Sequence, residues 1–400
     1  MRICICTTHN IKDKFSGGVN RILEMSQKVT RKNGVEVIIV DADHKTYYIL
    51  ANGELTSIPL PSCITFVSKV NTFQYFIKQT IGRLIAPPYE FSHISSCLNF
   101  FLLIKLRYLS SLYEFDVLQA EFPSAMGICL LYKKIFRKRI PLVYSEHNIE
   151  YIRVTRQNCG RFFCSVLRKL EEHYWNVADA VIVVSQLDRQ TLLDCSIAPN
   201  KIILLPNAVD CESFVHSQIS KEIRDKMLLS YPTLVFHGSF DYVSNKEAAD
   251  IILSKILPKL SERGRPVTML FIGKNSPSPK LSGVVSAGPV TELPPYLDAA
   301  DIAIVPLKSG AGTRIKILEY MAMGKPIVST NVGAEGINVT HGYNIMLADD
   351  EDEFVDAIEF FIHNPEKASK IGANARETAE LYYDWNKNTE NLFNAYKKVM

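Results

Sequence analysis

The sequence lacks most of the short signatures that assign a chain at a glance. Its nine cysteines include no CxxC pair, and an odd number of scattered thiols fits reduced residues better than a disulfide framework or a zinc site. The first strand-loop-helix run carries no GxGxxG, which disfavours a nucleotide-dependent dehydrogenase. An excess of charge is missing as well: a net +3 over 400 residues argues against a nucleic-acid-binding body, and no nucleic-acid partner is expected. No low-complexity tract interrupts the chain, and 47% hydrophobic with 22% charged residues describes a globular protein. The most apolar stretch, near residues 98–112, is broken by Lys105 and Arg107 and is too short to cross a bilayer. Strand-like residues 3–6 open the chain and leave no room for a signal peptide's apolar region, so a cytoplasmic setting is expected. Four hundred residues exceed one typical core, which predicts two domains.

What is present begins as strand, loop, helix, strand across residues 2–43, the start of a doubly wound α/β sheet. Such sheets bind ligands beyond the C-terminal ends of their strands. Gly17 and Gly18 stand just before the helix, where backbone can approach a phosphate closely or simply form a surface turn. Asp41-Ala42-Asp43 ends a buried strand; acidic strand ends are common in such sheets, and no metal is expected there. Residues 47–115 are harder to follow, with helices expected at 72–84 and 98–113 around a turn at Pro87 and Pro88. A short helix over 132–139 would carry Lys133, Lys134, Arg137, Lys138 and Arg139, either as a solvated face or as a patch leaning on anionic lipid. Next, a buried strand delivers Glu146, His147 and Asn148 to its C-terminal end, where a histidine can serve a ligand or the scaffold. The run VADAVIVVS at 177–185 is echoed by AADIAIVPL at 299–307, which suggests two similarly built domains with a boundary near 204–209.

Residues 308–335 form the most informative stretch. A small-residue loop (Ser309, Gly310, Ala311, Gly312) leads into a helix opening at Thr313, whose hydroxyl can cap it. Ile315, Leu318 and Ala322 share one face; Gly324 suits the left-handed residue past the helix end, and a buried strand follows at 326–329. A glycine loop meeting a helix N-terminus favours an anion. Arg314 and Lys316 add cations that oppose the helix dipole unless an anion compensates them, although ordinary solvated charges would also fit.

On these residues the stretch resembles the donor segment of the GT-B glycosyltransferases, specifically the large retaining family GT4. That family usually carries two glutamates separated by seven residues, then a small-residue helix, Gly-x-Pro and a hydrophobic strand. Glu319, Tyr320, Met321, Ala322, Gly324, Lys325, Pro326, Ile327 and Val328 match its second half, while Ala311 stands where the first glutamate would be. A branch of the family with a Gly-Thr-Arg-x-Lys start shares that departure. The family's Gly-Gly pair corresponds to Gly17 and Gly18, its histidine after the strand to His147, its Pro-Asn-x-Val-Asp run to residues 206–210, and its pyrophosphate-facing glycine to Gly238. Two cations that many members carry after that glycine are replaced by Ser239 and Ser244, with Arg314 and Lys316 as natural substitutes.

The resemblance implies an α/β GT-B fold of two Rossmann-like doubly wound domains facing across a cleft: 1–205, joined by a C-terminal helix at 384–400, and a donor domain at 206–383. It further implies retaining transfer of a sugar from a nucleotide-diphosphate sugar to a glycan, lipid-linked or other acceptor, with neither cofactor nor metal. The donor would meet Gly17, Gly18, Gly238, Gly312 and Thr313; Glu319 would take the ribose hydroxyls, His147 would orient the sugar, and Arg314 with Lys316 would stabilise the leaving diphosphate. A membrane-anchored acceptor would bring the enzyme to the inner face of the membrane. A GT-B epimerase or hydrolase, or a scaffold without activity, are the alternatives.

Overall fold

The computed structural model describes residues 1–12, 17–32, 34–43, 45–65, 99–156, 160–278, 281–310 and 312–400. The helix expected at 72–84, the turn at Pro87 and Pro88, and the position of Ala311 lie outside the described residues. The chain divides into two compact units, Met1–Pro206 with Thr389–Met400, and Asn207–Asn388.

The first unit runs β1 (Arg2–Thr7), α1 (Gly17–Thr30), β2 (Glu36–Val40), β3 (Thr46–Ala51), β4 (Glu54–Pro59), α2 (Phe100–Leu112), β5 (Val117–Glu121), α3 (Phe122–Ile135), β6 (Leu142–Ser145), α4 (Glu150–Arg156), α5 (Arg161–Val177), β7 (Ala180–Val183), α6 (Gln186–Asp194) and β8 (Ile202–Leu204). These strands form one sheet in the order β4-β3-β2-β1-β5-β6-β7-β8. From β2 to β8 every neighbouring pair is parallel. Ile3, Cys4, Ile5 and Cys6 are all buried, as a strand covered on both faces requires. The parallel sheet expected from the sequence gains an antiparallel hairpin, β3–β4, at one edge. Its cause is local: Asn52 and Gly53 take φ of 53° and 82°, the left-handed pair of a two-residue turn that suits strand twist.

Lys105, read from the sequence as interrupting an apolar helix, is fully buried, and its ammonium donates to Asp41 Oδ1 at 3.0 Å and to the carbonyls of Asp41 and Asp43. Asp41 Oδ2 also accepts the Ile11 N–H, and Asp43 takes Lys12 and the Thr46 hydroxyl. Both carboxylates at this strand end are therefore engaged in holding the β2–β3 connection. The cationic run at 132–139 is not a helix of its own: α3 ends at Ile135, and Arg137 turns the chain with φ 49°.

The second unit contains α7 (Ile219–Lys226), β9 (Thr233–His237), α8 (Val243–Ile251), a π-turn to α9 (Leu257–Glu262), β10 (Thr268–Ile272), β11 (Val284–Gly288), α10 (Pro294–Asp298), β12 (Ile302–Val305), α11 (Ile315–Ala322), β13 (Ile327–Ser329), β14 (Met346–Leu347), α12 (Glu351–His363) and α13 (Pro365–Tyr382). Its six strands are all parallel, in the order β11-β10-β9-β12-β13-β14. The strand order reverses direction beside β9, the switch point at which such sheets open a crevice. Asp350 caps α12 by accepting from the N–H groups of Asp352 and Glu353, so the acids at 349–353 stabilise a helix start. The last helix, α14 (Trp385–Val399), begins in the second unit, and its residues from Thr389 belong to the first.

Candidate functional site

In the second unit the site grows from the C-terminal ends of β9 and β10. Gly238 follows β9 with φ 148°, and Gly273 follows β10 with φ 128°. A Cβ on Gly273 would stand 2.1 Å from the Gly238 carbonyl oxygen, so the two turns pack backbone to backbone. A Cβ on Gly238 would meet Asn245 Nδ2 at 2.8 Å and Lys316 Nζ at 3.2 Å. The glycine thus leaves room for an ammonium reaching across from α11. Lys316 Nζ donates to Asn245 Oδ1 at 2.7 Å and lies 3.9 Å from the centre of the Phe236 ring. Asn245 is held in turn by donating to the Ser239 carbonyl at 2.8 Å. Burial pulls the Lys316 pKa down to about 7, against the attraction of Glu319 and with the repulsion of Arg314.

Glu319 lies one turn further along α11. Its Oε2 is 3.1 Å from His237 Nε2, and the edge of Tyr320 packs on the His237 ring at 5.0 Å. The Tyr320 hydroxyl accepts the His237 N–H at 2.9 Å, which ties the end of β9 to α11.

The start of α11 differs from expectation. The helix begins at Ile315, with Arg314 in the cap position and no side-chain cap. Thr313 does not cap it, because its hydroxyl instead accepts from Asn207 Nδ2 at 2.5 Å. Arg314 folds back over the glycine loop: Nη1 donates to the Gly312 carbonyl, and Nη2 lies 2.7 Å from where a Gly310 Cβ would be. Gly324 has φ 67°, as the helix end requires. Leu318 and Ala322 are buried with Ile317, Tyr320 and Met321, while Ile315 is half-buried at the edge of the stripe.

In the first unit, His147 follows β6, and its Nε2 stands 2.6 Å from Glu121 Oε2 at the end of β5. Phe122, with φ 68°, stacks on the imidazole at 4.0 Å between ring centres. Gly18, in the first turn of α1, faces the same rings: a Cβ there would lie 2.7 Å from Phe122 Cζ and 3.5 Å from His147 Nδ1. Gly17 beside it is exposed. Burial lowers the pKa of His147 despite the attraction of Glu121. Burial also works against the charge on Glu121, but hydrogen bonds from His147 and Gln119 outweigh it and hold that carboxyl below its usual range.

The remaining candidates stand elsewhere. Lys133 pairs with Asp179 at 3.4 Å, while Lys134, Arg137, Lys138 and Arg139 are exposed. Lys138 and Arg139 border a cavity of about 670 Å³ beside the N-terminal ends of β5 and β6, which contains none of the donor candidates. Among the described residues, no group of three or more His, Cys, Asp or Glu is placed to hold a metal ion, and no helix is long and apolar enough to cross a membrane. Sequence reasoning missed His237, Asn245, Asn207, Glu121 and Phe122. His237 directly precedes Gly238 at a strand end, which was a signal; the others become visible only through their partners.

The chain is similar to known glycosyltransferases. The family described as Glycosyltransferase Family 4 matches residues 15–213, and the one described as Glycosyl transferases group 1 matches residues 231–364. A chitobiosyldiphosphodolichol beta-mannosyltransferase from Debaryomyces hansenii is 24% identical over 390 residues, covering 86% of this chain and 80% of that protein. A lipopolysaccharide core biosynthesis mannosyltransferase, LpsB, from Rhizobium meliloti is 26% identical over 44% of this chain and 54% of its own length. An uncharacterized 44.6 kDa protein of the cps region of Klebsiella pneumoniae is 26% identical over 42% of this chain. The chain spans about half the length of those last two relatives, at 54% and 47%. Among solved structures, sucrose-phosphate synthase from Thermosynechococcus elongatus aligns with a TM-score of 0.74 at 15% identity, covering 100% of this chain and 99% of that one. HepE from Anabaena, in complex with UDP, aligns with a TM-score of 0.67 at 16% identity over 100% of both chains. These likenesses are to GT-B folds.

Proposed function

This chain belongs to the group 1 glycosyl transferases of glycosyltransferase family 4, and from that premise we propose that it moves a sugar from a nucleotide-diphosphate sugar to a glycan or lipid-linked acceptor with retention of configuration. The observation that carries the reading is Lys316: a desolvated ammonium held by a neutral amide beside Gly238, with its pKa pulled down to about 7. Such a group lacks a full counter-charge, and a diphosphate supplies one. Arg314, folded over Gly310 and Gly312, is the second cation for the leaving group. Stabilising charge that develops on a departing diphosphate is the main catalytic task, and preorganised cations and N–H groups do this without a metal. Glu319 accepts hydrogen bonds from the ribose hydroxyls, with His237 Nε2 standing 3.1 Å from its carboxylate. Gly18 and His147 serve the sugar, and the exposed Lys134, Arg137, Lys138 and Arg139 provide a cationic face suited to anionic lipid near a lipid-linked acceptor. UDP and UDP-glucose complexes of HepE support a nucleotide-sugar donor.

The test is a thermal-shift screen against UDP-, GDP- and ADP-sugars, followed by product analysis with the donor that binds. A ligand at 100 times its dissociation constant stabilises by about 2.7 kcal/mol. A matching donor should raise the melting temperature and yield an α- or β-linkage that retains the donor's anomeric configuration, with turnover unaffected by EDTA. No shift with any nucleotide sugar, an inverted product, or activity lost to chelation and restored by Mg²⁺ would each overturn the corresponding part.

A further inference from the structure

Behind His147 lies a buried chain of hydrogen bonds that the donor site as described does not use. Tyr396, near the C-terminal end of α14 and buried, donates to Gln119 Oε1 at 2.5 Å. The Gln119 amide donates to Glu121 Oε1, and Glu121 Oε2 faces His147 Nε2 at 2.6 Å. Gln119 and Glu121 have no exposed surface. The direction of the chain follows from its ends: the Tyr396 hydroxyl gives its proton to the Gln119 carbonyl, so the Gln119 amide nitrogen must point at Glu121. Glu121 accepts from both sides.

We propose that Glu121 is a positioning residue that keeps His147 as the Nε2–H tautomer, so that Nδ1, facing the Gly18 turn, is a hydrogen-bond acceptor for a sugar hydroxyl. The inference rests on the reading that His147 meets the sugar. Three further observations favour a neutral ring with a fixed orientation. Phe122 stacks on one face of the imidazole, with planes 20° apart. Arg21, whose buried guanidinium donates to the carbonyls of Leu205 and Pro206, is close enough to oppose a second positive charge there. Nδ1 lies 3.5 Å from the position a Gly18 Cβ would take, so that nitrogen faces the first turn of α1.

The geometry also fixes what Glu121→Gln does. Gln119 would still present its N–H to the new side chain, turning that amide's oxygen toward Gln119 and its NH₂ toward His147. His147 would then have to accept at Nε2 and carry its proton on Nδ1, losing the acceptor. Histidine ¹⁵N NMR of the full chain, with the His147 signals identified by their loss in His147→Gln, reads this directly. The expected result is Nε2 protonated and Nδ1 unprotonated at pH 7.5, with the order reversed in Glu121→Gln, transfer reduced on the order of 10- to 100-fold, and folding retained. Tyr396→Phe, the milder variant, should give a mixture of tautomers and a loss of a few-fold. A doubly protonated or Nδ1–H ring in the wild type, or an unchanged tautomer in Glu121→Gln, would overturn the proposal. A reversed tautomer with normal transfer would leave the lock standing and overturn instead the assignment of His147 to the sugar. A wild-type tautomer in Tyr396→Phe would remove Tyr396 from the chain.

Discussion

The two glycine-lined sites treat charge in opposite ways. In the first unit the titratable group is answered from within: His147 has a carboxylate partner at 2.6 Å, and that carboxylate is itself satisfied by Gln119. In the second unit the ammonium of Lys316 hydrogen-bonds a neutral amide, and Arg314 turns to a backbone carbonyl. An ammonium whose burial pulls its pKa down to about 7, held by a neutral amide, raises the energy of the free protein. On the proposed function the second site would take an anion that arrives with the substrate, whereas the first would present a neutral, oriented acceptor.

The sharpest way to break this contrast is Lys316→Met. If the ammonium is kept for the diphosphate, transfer should fall on the order of 10² to 10³, with kcat hit harder than the donor KM. The unliganded variant should hold its melting temperature or gain about 2–4 °C for each kcal/mol of desolvation relieved. The sign follows from the pKa being about 7 in the folded chain against 10.5 in the unfolded one. Between those values the unfolded chain binds the proton and the folded chain does not, so wild-type stability falls as pH drops from about 10.5 to 7 and the penalty is constant below that. The advantage of Met should therefore be full below pH 7 and fade toward pH 10.5. Normal turnover, or an unfolded variant, would make Lys316 a structural residue.

Glu319→Ala should weaken nucleotide-sugar binding by 1.5 to 3 kcal/mol, roughly 10- to 100-fold, with the fold intact. The carboxylate is partly exposed, at 21%, and stands apart from the buried stripe of α11. Unchanged affinity by titration calorimetry would dismiss its ribose role. Asn245→Ala removes the neutral partner of Lys316 together with the hydrogen bond to the Ser239 carbonyl, so a few-fold to tenfold loss of donor affinity is expected, with kcat largely kept. A larger effect would mean that Asn245 meets the substrate itself. Finally, a bound diphosphate should raise the Lys316 pKa, so binding at pH 8.5 should take up a fraction of a proton approaching one, and almost none at pH 6. Calorimetry in buffers of different ionisation enthalpy measures it; equal uptake at both values would show that Lys316 does not face the anion.

Much of this molecule was legible in the chain itself. Alternation of buried strands with helices, the glycines at strand ends and the segment from Glu319 to Val328 depend on local backbone preference and burial period, which a sequence carries directly. Gly324 at φ 67° follows from them. The hairpin β3–β4 went unread, because its signal, Asn52-Gly53, is only two residues long. Tertiary structure decided the partners. Thr313 reads as a helix cap until Asn207, 106 positions away, takes its hydroxyl. Lys105 reads as a break in an apolar helix until the strand end at Asp41 and Asp43 comes to cover it. Likewise Lys316 and Arg314 look alike in sequence, two cations at one helix start, and only the crossing from α11 to the β9 turn separates an ammonium held by Asn245 from a guanidinium folded onto its own loop. Periodicity tells a side chain which face it occupies, but which group it meets there depends on strand order and register, and these are properties of the assembled sheets.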